Sequence, residues 1–396
     1  MPVMKNNKIL YLSFAGLTSD IGQSQIVPLL LALAEKNVKI SVISVEKNKD
    51  FEILGHYVEK ALNEHNISWE YIFQKNKPTV VSVVSDIKKM RKIAYRLQNE
   101  NKFNTVYCRN YLPSIIGLKL KQRFGVKFIF DIRSFWADEQ IDNNIIKKYK
   151  RHHRLVYNYI KKKENLFIKN ADYIFTLTEK AKDTINKKWN AGNKTTVLPP
   201  FVDAEKCNLP NKQQQVIDAL NIAFAGSISP WYKLDEMLDL FKKILEKYPK
   251  SKFYFFTGET PASILNKAIV RDINIEHFNI KHIAFNEYYS ELNKFDLALF
   301  FVKDVFSKQA SFPVQMNEFL CKGIPVICNN VADNEKIINE LNAGIVANKL
   351  SDDEYSKIVE KIPDLLKTDK QQIHNNIVEK YSLKATIDKI SDIIIF

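Results

Sequence analysis

Only 10 glycines occur among the 396 residues of this chain, far fewer than the ~7% of an average protein. A sequence so poor in glycine keeps it where other residues fit badly. Gly16 and Gly22 follow the apolar run KILYLSF (8–14), Gly226 ends LNIAFAGS (220–227) nearly at its close, and Gly258 closes KFYFFTG (252–258). Each position reads as a turn from a strand into a helix. Glycine there lets backbone N–H groups approach a phosphate, and the following helix N-terminus adds partial positive charge. Any strand-to-helix turn tolerates one glycine; matched turns in both halves favour a bound diphosphate. No GxGxxG occurs, so a nicotinamide or flavin enzyme is not supported. Asp138 and Glu139 are adjacent rather than opposed, unlike the paired carboxylates of a hydrolase.

Metal chemistry finds little support. Cys108, Cys207, Cys321 and Cys328 show no CxxC spacing, and of the seven histidines only His152 and His153 are neighbours. Adjacent residues on a helix point in different directions. We expect no metal site, and reduced, mostly buried thiols in place of a disulfide frame.

Short apolar runs rich in Val, Ile, Phe and Tyr alternate with amphipathic stretches of helix length along the whole chain. VKISVIS (38–44), NTVYC (104–108), VKFIFD (126–131) and DYIFTLT (172–178) continue the first series. LNIAFAGS, KFYFFTG, IKHIAF (280–285), FDLALFFV (295–302), IPVIC (324–328) and AGIVA (343–347) form a second. Such alternation predicts βαβ units with parallel sheets buried on both faces. Two complete sets predict an α/β protein of two doubly wound domains, jointed at TVLPPFVDAEKCNLP (196–210). A final stretch, SLKATIDKISDIIIF (382–396), predicts a helix packed on the body. The longest apolar run near the N-terminus, Ile26 to Ala34, is interrupted by Pro28 and is too short to span a bilayer, so a cytoplasmic protein is expected.

Charge divides unevenly. Residues 1–200 carry 35 Lys and Arg against 18 Asp and Glu, whereas 201–396 carry 24 against 27, so the whole excess of +14 lies in the first half. A basic half suggests an anionic partner. IIKKYKRHHRLVYNYIKKKENLFIK (145–169) interleaves 11 Lys, Arg or His with aromatic and aliphatic residues. On a helix this is a surface suited to anionic lipid headgroups, and DIKKMRKIAYRLQ (86–98) reinforces it. The expected partner is the membrane surface, through the Lys147–Lys169 region. A solvated outer helix is the plainer alternative. A basic nucleic-acid-binding protein is the rival, but no RNA- or DNA-reading motif appears, and the acidic second half would repel a polyanion; no nucleic acid is expected.

The order and spacing of several segments resemble glycosyltransferase family 4, the group 1 transferases of GT-B fold. ILYLSFAGLTSDIGQSQIVPLLLALA is similar to the family's first strand, glycine loop and helix. FDIRSFWADE (130–139), ADYIFTLTEKAKDTI (171–185) and VLPPFVD (197–203) resemble later parts of its first domain and the crossing. GSISPWYKLDEMLDLF (226–241) and SFPVQMNEFLCKGIPVI (311–327) resemble its second, nucleotide-binding domain. The resemblance implies two Rossmann-like domains facing each other across a cleft: 1–200 on the acceptor side, 201–380 binding the nucleotide-sugar, and 381–396 a helix returning toward the first.

It implies roles residue by residue. Glu318 falls where relatives hold the ribose hydroxyls, which a carboxylate can accept together. Lys233 falls where a lysine neutralises the donor diphosphate. Asp131 stands where many relatives place a histidine that contacts the transferred sugar, so Asp131, Lys233 and Glu318 are the expected catalytic set. Gly16, Gly22, Gly226, Ser227, Gly258 and Ser311 are expected to join Lys233 and Glu318 around the donor. Gln23, Arg109, Arg133, Trp136, Asp138 and Glu139 are expected on the acceptor side. The chain departs from the family pattern at Ser227, where an arginine is usual, and at Ala310, where the first of two glutamates is usual. The implied activity is a retaining, metal-independent hexosyl transfer. It would run from a UDP- or GDP-sugar to a glycan or lipid-linked acceptor in surface polysaccharide or glycolipid biosynthesis, without a cofactor. The cytoplasmic protein would then sit peripherally on the inner face of the membrane. A nucleotide-sugar epimerase or a silent GT-B scaffold is the alternative.

Overall fold

The structure is a computed structural model that describes residues 7–75, 80–147, 149–209, 219–283 and 285–394. Lys148 of the basic stretch, Pro210 at the end of the joint and residues 395–396 of the final stretch lie outside the described residues.

The chain forms two compact units, one of Met1–Pro200 with Leu383–Phe396 and one of Phe201–Ser382. In the first, seven strands make one parallel sheet: β1 (Lys8–Ser13), β2 (Lys39–Glu46), β3 (Ser68–Phe73), β4 (Thr105–Arg109), β5 (Lys127–Ile132), β6 (Tyr173–Thr176) and β7 (Thr195–Val197). Their order is β3-β2-β1-β4-β5-β6-β7. In the second, β8 (Asn221–Ala225), β9 (Lys252–Phe256), β10 (Phe278–Lys281), β11 (Leu297–Phe300), β12 (Val326–Asn329) and β13 (Gly344–Ala347) lie in the order β10-β9-β8-β11-β12-β13, also parallel. The reversal of order places a switch point at β1/β4 in one unit and at β8/β11 in the other. In open α/β sheets ligands bind outside the carboxyl ends of the strands at such points.

Strands covered by helices on both faces have no polar face, and their residues are apolar without alternation. Leu10, Tyr11 and Leu12 of β1 are fully buried in succession, as are Leu297 to Phe300 of β11. The closing helix Leu383–Ile394 belongs to the first unit, where it packs beside Val27–Glu35 and buries Ile387, Ile390 and Ile394. Scarcity of glycine is met by asparagine, which tolerates left-handed backbone better than other residues. Asn190 (φ 49°) and Asn342 (φ 47°) close the helices Glu179–Trp189 and Asn334–Leu341.

The cysteines depart from expectation. Cys207 and Cys321 form a disulfide with Cα atoms 5.5 Å apart, although 114 residues separate them. The fold brings the latter part of the joint beside the end of the helix Val314–Cys321, where Lys322 Nζ also donates to the Asn208 carbonyl at 2.9 Å. Sequence spacing carries no trace of that proximity. Cys108 and Cys328 are free and buried. Among the described residues, no helix is long and apolar enough to cross a membrane, and no three His, Cys, Asp or Glu gather as a metal site.

Candidate active site

In the second unit the polar groups of interest converge at the carboxyl ends of β8, β9 and β11. β8 runs straight into Gly226, whose φ of 115° lies where side chains are strained. A Cβ at this position would meet only Gln315 Oε1, at 3.4 Å. The glycine is therefore required by backbone conformation, and open space lies before it. Gly258, after β9, likewise faces nothing within 4 Å. Ser227 is exposed, and its hydroxyl bonds the Ser229 carbonyl at 3.2 Å. Glu259 Oε1 accepts the Ser229 N–H at 3.0 Å, tying the loops after β8 and β9 together.

Lys233 sits immediately before the helix Leu234–Lys247, with its N–H on the Phe301 carbonyl at 2.8 Å. Its ammonium is paired to Glu236 at 2.9 Å, with both side chains about one-third exposed. A pair this wet is worth well under 1 kcal/mol. The ammonium is thus held near the helix N-terminus without being committed there.

The short helix Val314–Cys321 supplies the buried polar face. Glu318 is 9% exposed and accepts the Tyr288 hydroxyl at 3.0 Å. Burial pushes its carboxyl up to about 7, against the opposing pull of the Tyr288 hydrogen bond. The same carboxylate helps hold Tyr232 and Tyr289 above their ordinary values, after burial as the main cause. One turn earlier, Gln315 is 5% exposed, and both its amide oxygen and nitrogen are buried without a hydrogen-bond partner. Two orphaned polar atoms on one buried side chain are costly, by about 1–3 kcal/mol each. Sequence reasoning missed Gln315. Its one signal is register: it lies three residues before Glu318, on the same helix face. Replacing it with leucine removes both orphans at similar shape. We expect Gln315→Leu to raise the melting temperature of the ligand-free protein while weakening nucleotide binding about tenfold; unfolding scans with and without nucleotide check both.

Ser311 lines a shallow, half-open pocket together with Trp231, Tyr232, Phe312 and Lys308. The Lys308 ammonium lies 3.3 Å from the centre of the Trp231 ring. Ala310 is fully buried at the end of the turn Phe306–Ala310.

The first unit treats its glycines differently. A Cβ at Gly16 would lie 2.5 Å from Glu46 Oε2, and one at Gly22 would lie 2.3 Å from the carbonyl oxygens of Gly16 and Leu17. Glu46 ends β2, is fully buried, and accepts the Leu17 N–H (2.7 Å), the Thr18 N–H (3.2 Å) and the Thr18 hydroxyl (2.6 Å). The Gly22 N–H is spent on Ser19 Oγ at 3.1 Å, and Gln23 donates to the Leu17 carbonyl at 2.7 Å. The loop is folded tightly onto a buried carboxylate, and these amides are used inside it. Close packing accounts for both glycines, which the sequence had suggested for phosphate. Glu46 gave no sequence signal, because the loop groups it binds, those of Leu17 and Thr18, lie 29 and 28 residues before it.

Asp131 lies deep at the end of β5, 1% exposed. Its Oδ2 accepts from Arg133 Nε (3.0 Å) and Tyr107 (2.9 Å), and lies 3.7 Å from Arg109 Nη1. Asp131, for which the resemblance implied contact with the transferred sugar, thus holds two arginines and a tyrosine together. Trp136 packs at a tilt on Tyr111, with ring centres 5.7 Å apart. Asp138 is bound by Tyr157 (2.9 Å) and Lys161 (3.0 Å) of the helix Arg151–Asn170, and Glu139 accepts from Ser134 at 2.7 Å.

Residues 24–206 match the family model described as Glycosyltransferase Family 4. No curated protein matches the chain. Among solved structures, sucrose-phosphate synthase from Thermosynechococcus elongatus is similar over 98% of both chains, with 13% identity and a TM-score of 0.73. HepE from Anabaena, solved with UDP and glucose, matches over 98% of this chain and 99% of its own, at 10% identity and a TM-score of 0.70. A putative UDP-N-acetylglucosamine 2-epimerase from Listeria monocytogenes aligns over 98% of this chain and 95% of its own, at 12% identity and a TM-score of 0.56. At such identities a structural likeness shows the fold alone, and the fold here is that of the GT-B enzymes. With two doubly wound parallel sheets in that arrangement of strands, this chain has the GT-B fold, and its residues 24–206 match the model of glycosyltransferase family 4.

Proposed function

We propose that this protein moves a sugar from a nucleotide-sugar, UDP- or GDP-linked, to a hydroxyl of a glycan or lipid-linked acceptor. The second unit binds the donor and the first binds the acceptor. The observation that carries the donor assignment is the buried face of Val314–Cys321. It sets a carboxylate, Glu318, and an amide, Gln315, beside the open turn at Gly226; among the described residues Glu318 accepts from the Tyr288 phenol and Gln315 has no partner. A ribose diol supplies the two donors that Glu318 lacks. The solved HepE structure with UDP and glucose supports the same reading from a protein of this fold.

The implied chemistry is retaining and needs no metal. The glycosidic bond to the diphosphate breaks as the acceptor oxygen attacks the same face, and the leaving phosphate takes the acceptor proton. Protein groups then position the substrates and offset charge on the departing diphosphate. Lys233 is suited to that, since its weak surface pair exchanges readily for a phosphate. Asp131 acts as a positioning residue through Arg133 and Arg109.

A membrane role rests on the helix Arg151–Asn170 and the turn before it. Ile145, Tyr149, Leu155 and Tyr159 are each more than half exposed amid exposed Arg151, Arg154 and Lys162. Such a face gains from anionic headgroups and shallow insertion. One experiment addresses both parts: purified protein is offered UDP- and GDP-sugars with extracted lipid acceptor in anionic or neutral vesicles. Nucleotide release with acceptor glycosylation, faster on anionic vesicles, is expected. Interconverted sugar without transfer would instead identify an epimerase, and equal rates on both vesicles would remove the membrane.

A further inference from the structure

The carboxyl edge of the first sheet carries a second group of buried polar atoms. Arg109 is the last residue of β4, paired in register with Ser13 of β1 on one side and Asp131 of β5 on the other. It therefore stands at the β1/β4 switch point, where doubly wound sheets receive ligands. Arg109 is 7% exposed and lies against Tyr11; among the described residues its Nη1, the Tyr11 hydroxyl and Asp131 Oδ1 have no partner of good hydrogen-bond geometry. Arg133, whose side chain is 17% exposed, closes the solvent side, with Nη2 on Asp131 Oδ2 at 2.8 Å. The ion-paired groups here are two guanidiniums and one carboxylate, a surplus of one positive charge. Tyr107 and Tyr11 stay neutral, because burial raises both phenols above their ordinary value. The helix Tyr111–Phe124 starts two residues after Arg109 and turns its N-terminus to the same edge, adding partial positive charge.

Burying two guanidiniums against one carboxylate is unfavourable unless a second anion arrives. We infer that this edge is a binding subsite for an anionic, hydroxylated group, a phosphate or carboxylate borne by the acceptor. The anion lies against Arg133 and Arg109, with the Tyr11 hydroxyl as a further donor. A hydroxyl on the same ligand donates to Asp131 Oδ1. The unpartnered Arg109 Nη1 and Tyr11 hydroxyl beside the unpartnered Asp131 Oδ1 match a ligand of mixed character better than a bare ion. Asp131 serves as the fixed counter-charge that keeps both arginines in place before the ligand binds. The inference rests on the reading of the first unit as the acceptor side, and it narrows the acceptor to an anionic sugar or polyol.

The test uses the full chain and thermal unfolding at constant ionic strength. Glycerol 3-phosphate and glucuronate are the probes, glycerol and glucose their neutral counterparts, and UDP and GDP report separately on the second unit. One of the two anions is expected to stabilise the protein saturably, and which one does so names the anionic source. Its neutral counterpart gives no shift. Arg109→Gln is expected to weaken that anion at least about tenfold, since it removes a charged hydrogen bond from a buried site. Nucleotide stabilisation stays as in the unaltered protein. Arg133→Gln, at the more exposed arginine, gives the same result should Arg109→Gln fold poorly. If neither anion stabilises the protein, or both arginine variants retain the shift, the inference is overturned. A shift lost in Lys233→Ala but kept in the arginine variants also overturns it, since the anion then binds the second unit. An Arg109-dependent shift without any nucleotide shift leaves the inference standing and removes the donor assignment.

Discussion

Glu318→Gln is expected to weaken nucleotide binding by roughly 100- to 1000-fold while the protein stays folded. The carboxylate offers two charge-assisted hydrogen bonds to a diol, each worth about 1.5–3 kcal/mol, and the carboxamide keeps shape while replacing one acceptor by a donor. Titration calorimetry with UDP or GDP measures the loss, and unaltered affinity would remove Glu318 from the donor site. The pH dependence sharpens the prediction. Burial holds the Glu318 carboxyl up to about 7 in the folded protein, above the ordinary 4.5. A group raised in this way contributes stability that is fully present below pH 4.5 and is lost as pH rises through 7. Ligand-free protein should therefore lose stability between pH 5 and 8 through this residue, by about 3 kcal/mol at most for a shift of this size. Nucleotide binding has the opposite slope, because the ribose hydroxyls need the ionised form. Affinity should climb by up to about tenfold per pH unit below 7 and level off above it. Glu318→Gln, which cannot ionise, should lose both trends together. Affinity that stays flat from pH 5 to 8 in the unaltered protein would refute the assigned ionisation.

The architecture was legible because parallel strands buried on both faces must be apolar throughout. Runs such as KILYLS and LALF then mark strands without any knowledge of their neighbours, and eleven of the 13 strands are marked in this way; β3, a largely exposed edge strand, and β7, of three residues, are not. Glu318 and Lys233 stood out in the sequence because each lies within a local segment whose order resembles a family. The rest depends on proximity in space. Glu46 reaches the loop after β1 from the end of the neighbouring strand, and Arg109 meets Asp131 only because β4 and β5 pair in register. Gln315 is conspicuous only once its amide is seen buried beside Gly226 without partners. The Cys207–Cys321 bond is the extreme case, a contact across 114 residues that no spacing rule addresses. Where a residue was chosen for its own conformational freedom, the sequence showed the place but not the cause, and the glycines after β1 illustrate this.

For that reason Gly22→Ala separates two explanations of one residue. If Gly22 were kept so that a diphosphate could approach its backbone, an added methyl would chiefly impair nucleotide binding and leave the ligand-free protein nearly as stable. The geometry argues for the reverse. The new Cβ would lie 2.3 Å from two carbonyl oxygens, those of Gly16 and Leu17, and 2.5 Å from the Leu17 carbonyl carbon. These atoms are backbone, so no rotamer change relieves the clash. Leu17 cannot retreat without giving up its hydrogen bond to Glu46, whose buried carboxylate would then be short of a donor. Overpacking of this kind costs about 1–3 kcal/mol, and the loss of a bond to a buried charge adds about 1.5–3 kcal/mol. The two together should lower the melting temperature of the first unit by roughly 5–25 °C, at the 2–4 °C per kcal/mol of a domain this size. Nucleotide affinity, measured below that transition, should stay within about threefold of the unaltered protein, because the donor groups lie in the second unit and independent sites do not couple. A stable Gly22→Ala protein with impaired nucleotide binding would return the glycine loop to the diphosphate. A destabilised one that still binds nucleotide fixes Gly22 as a packing residue and leaves charge on the donor to Lys233 and the helix that follows it.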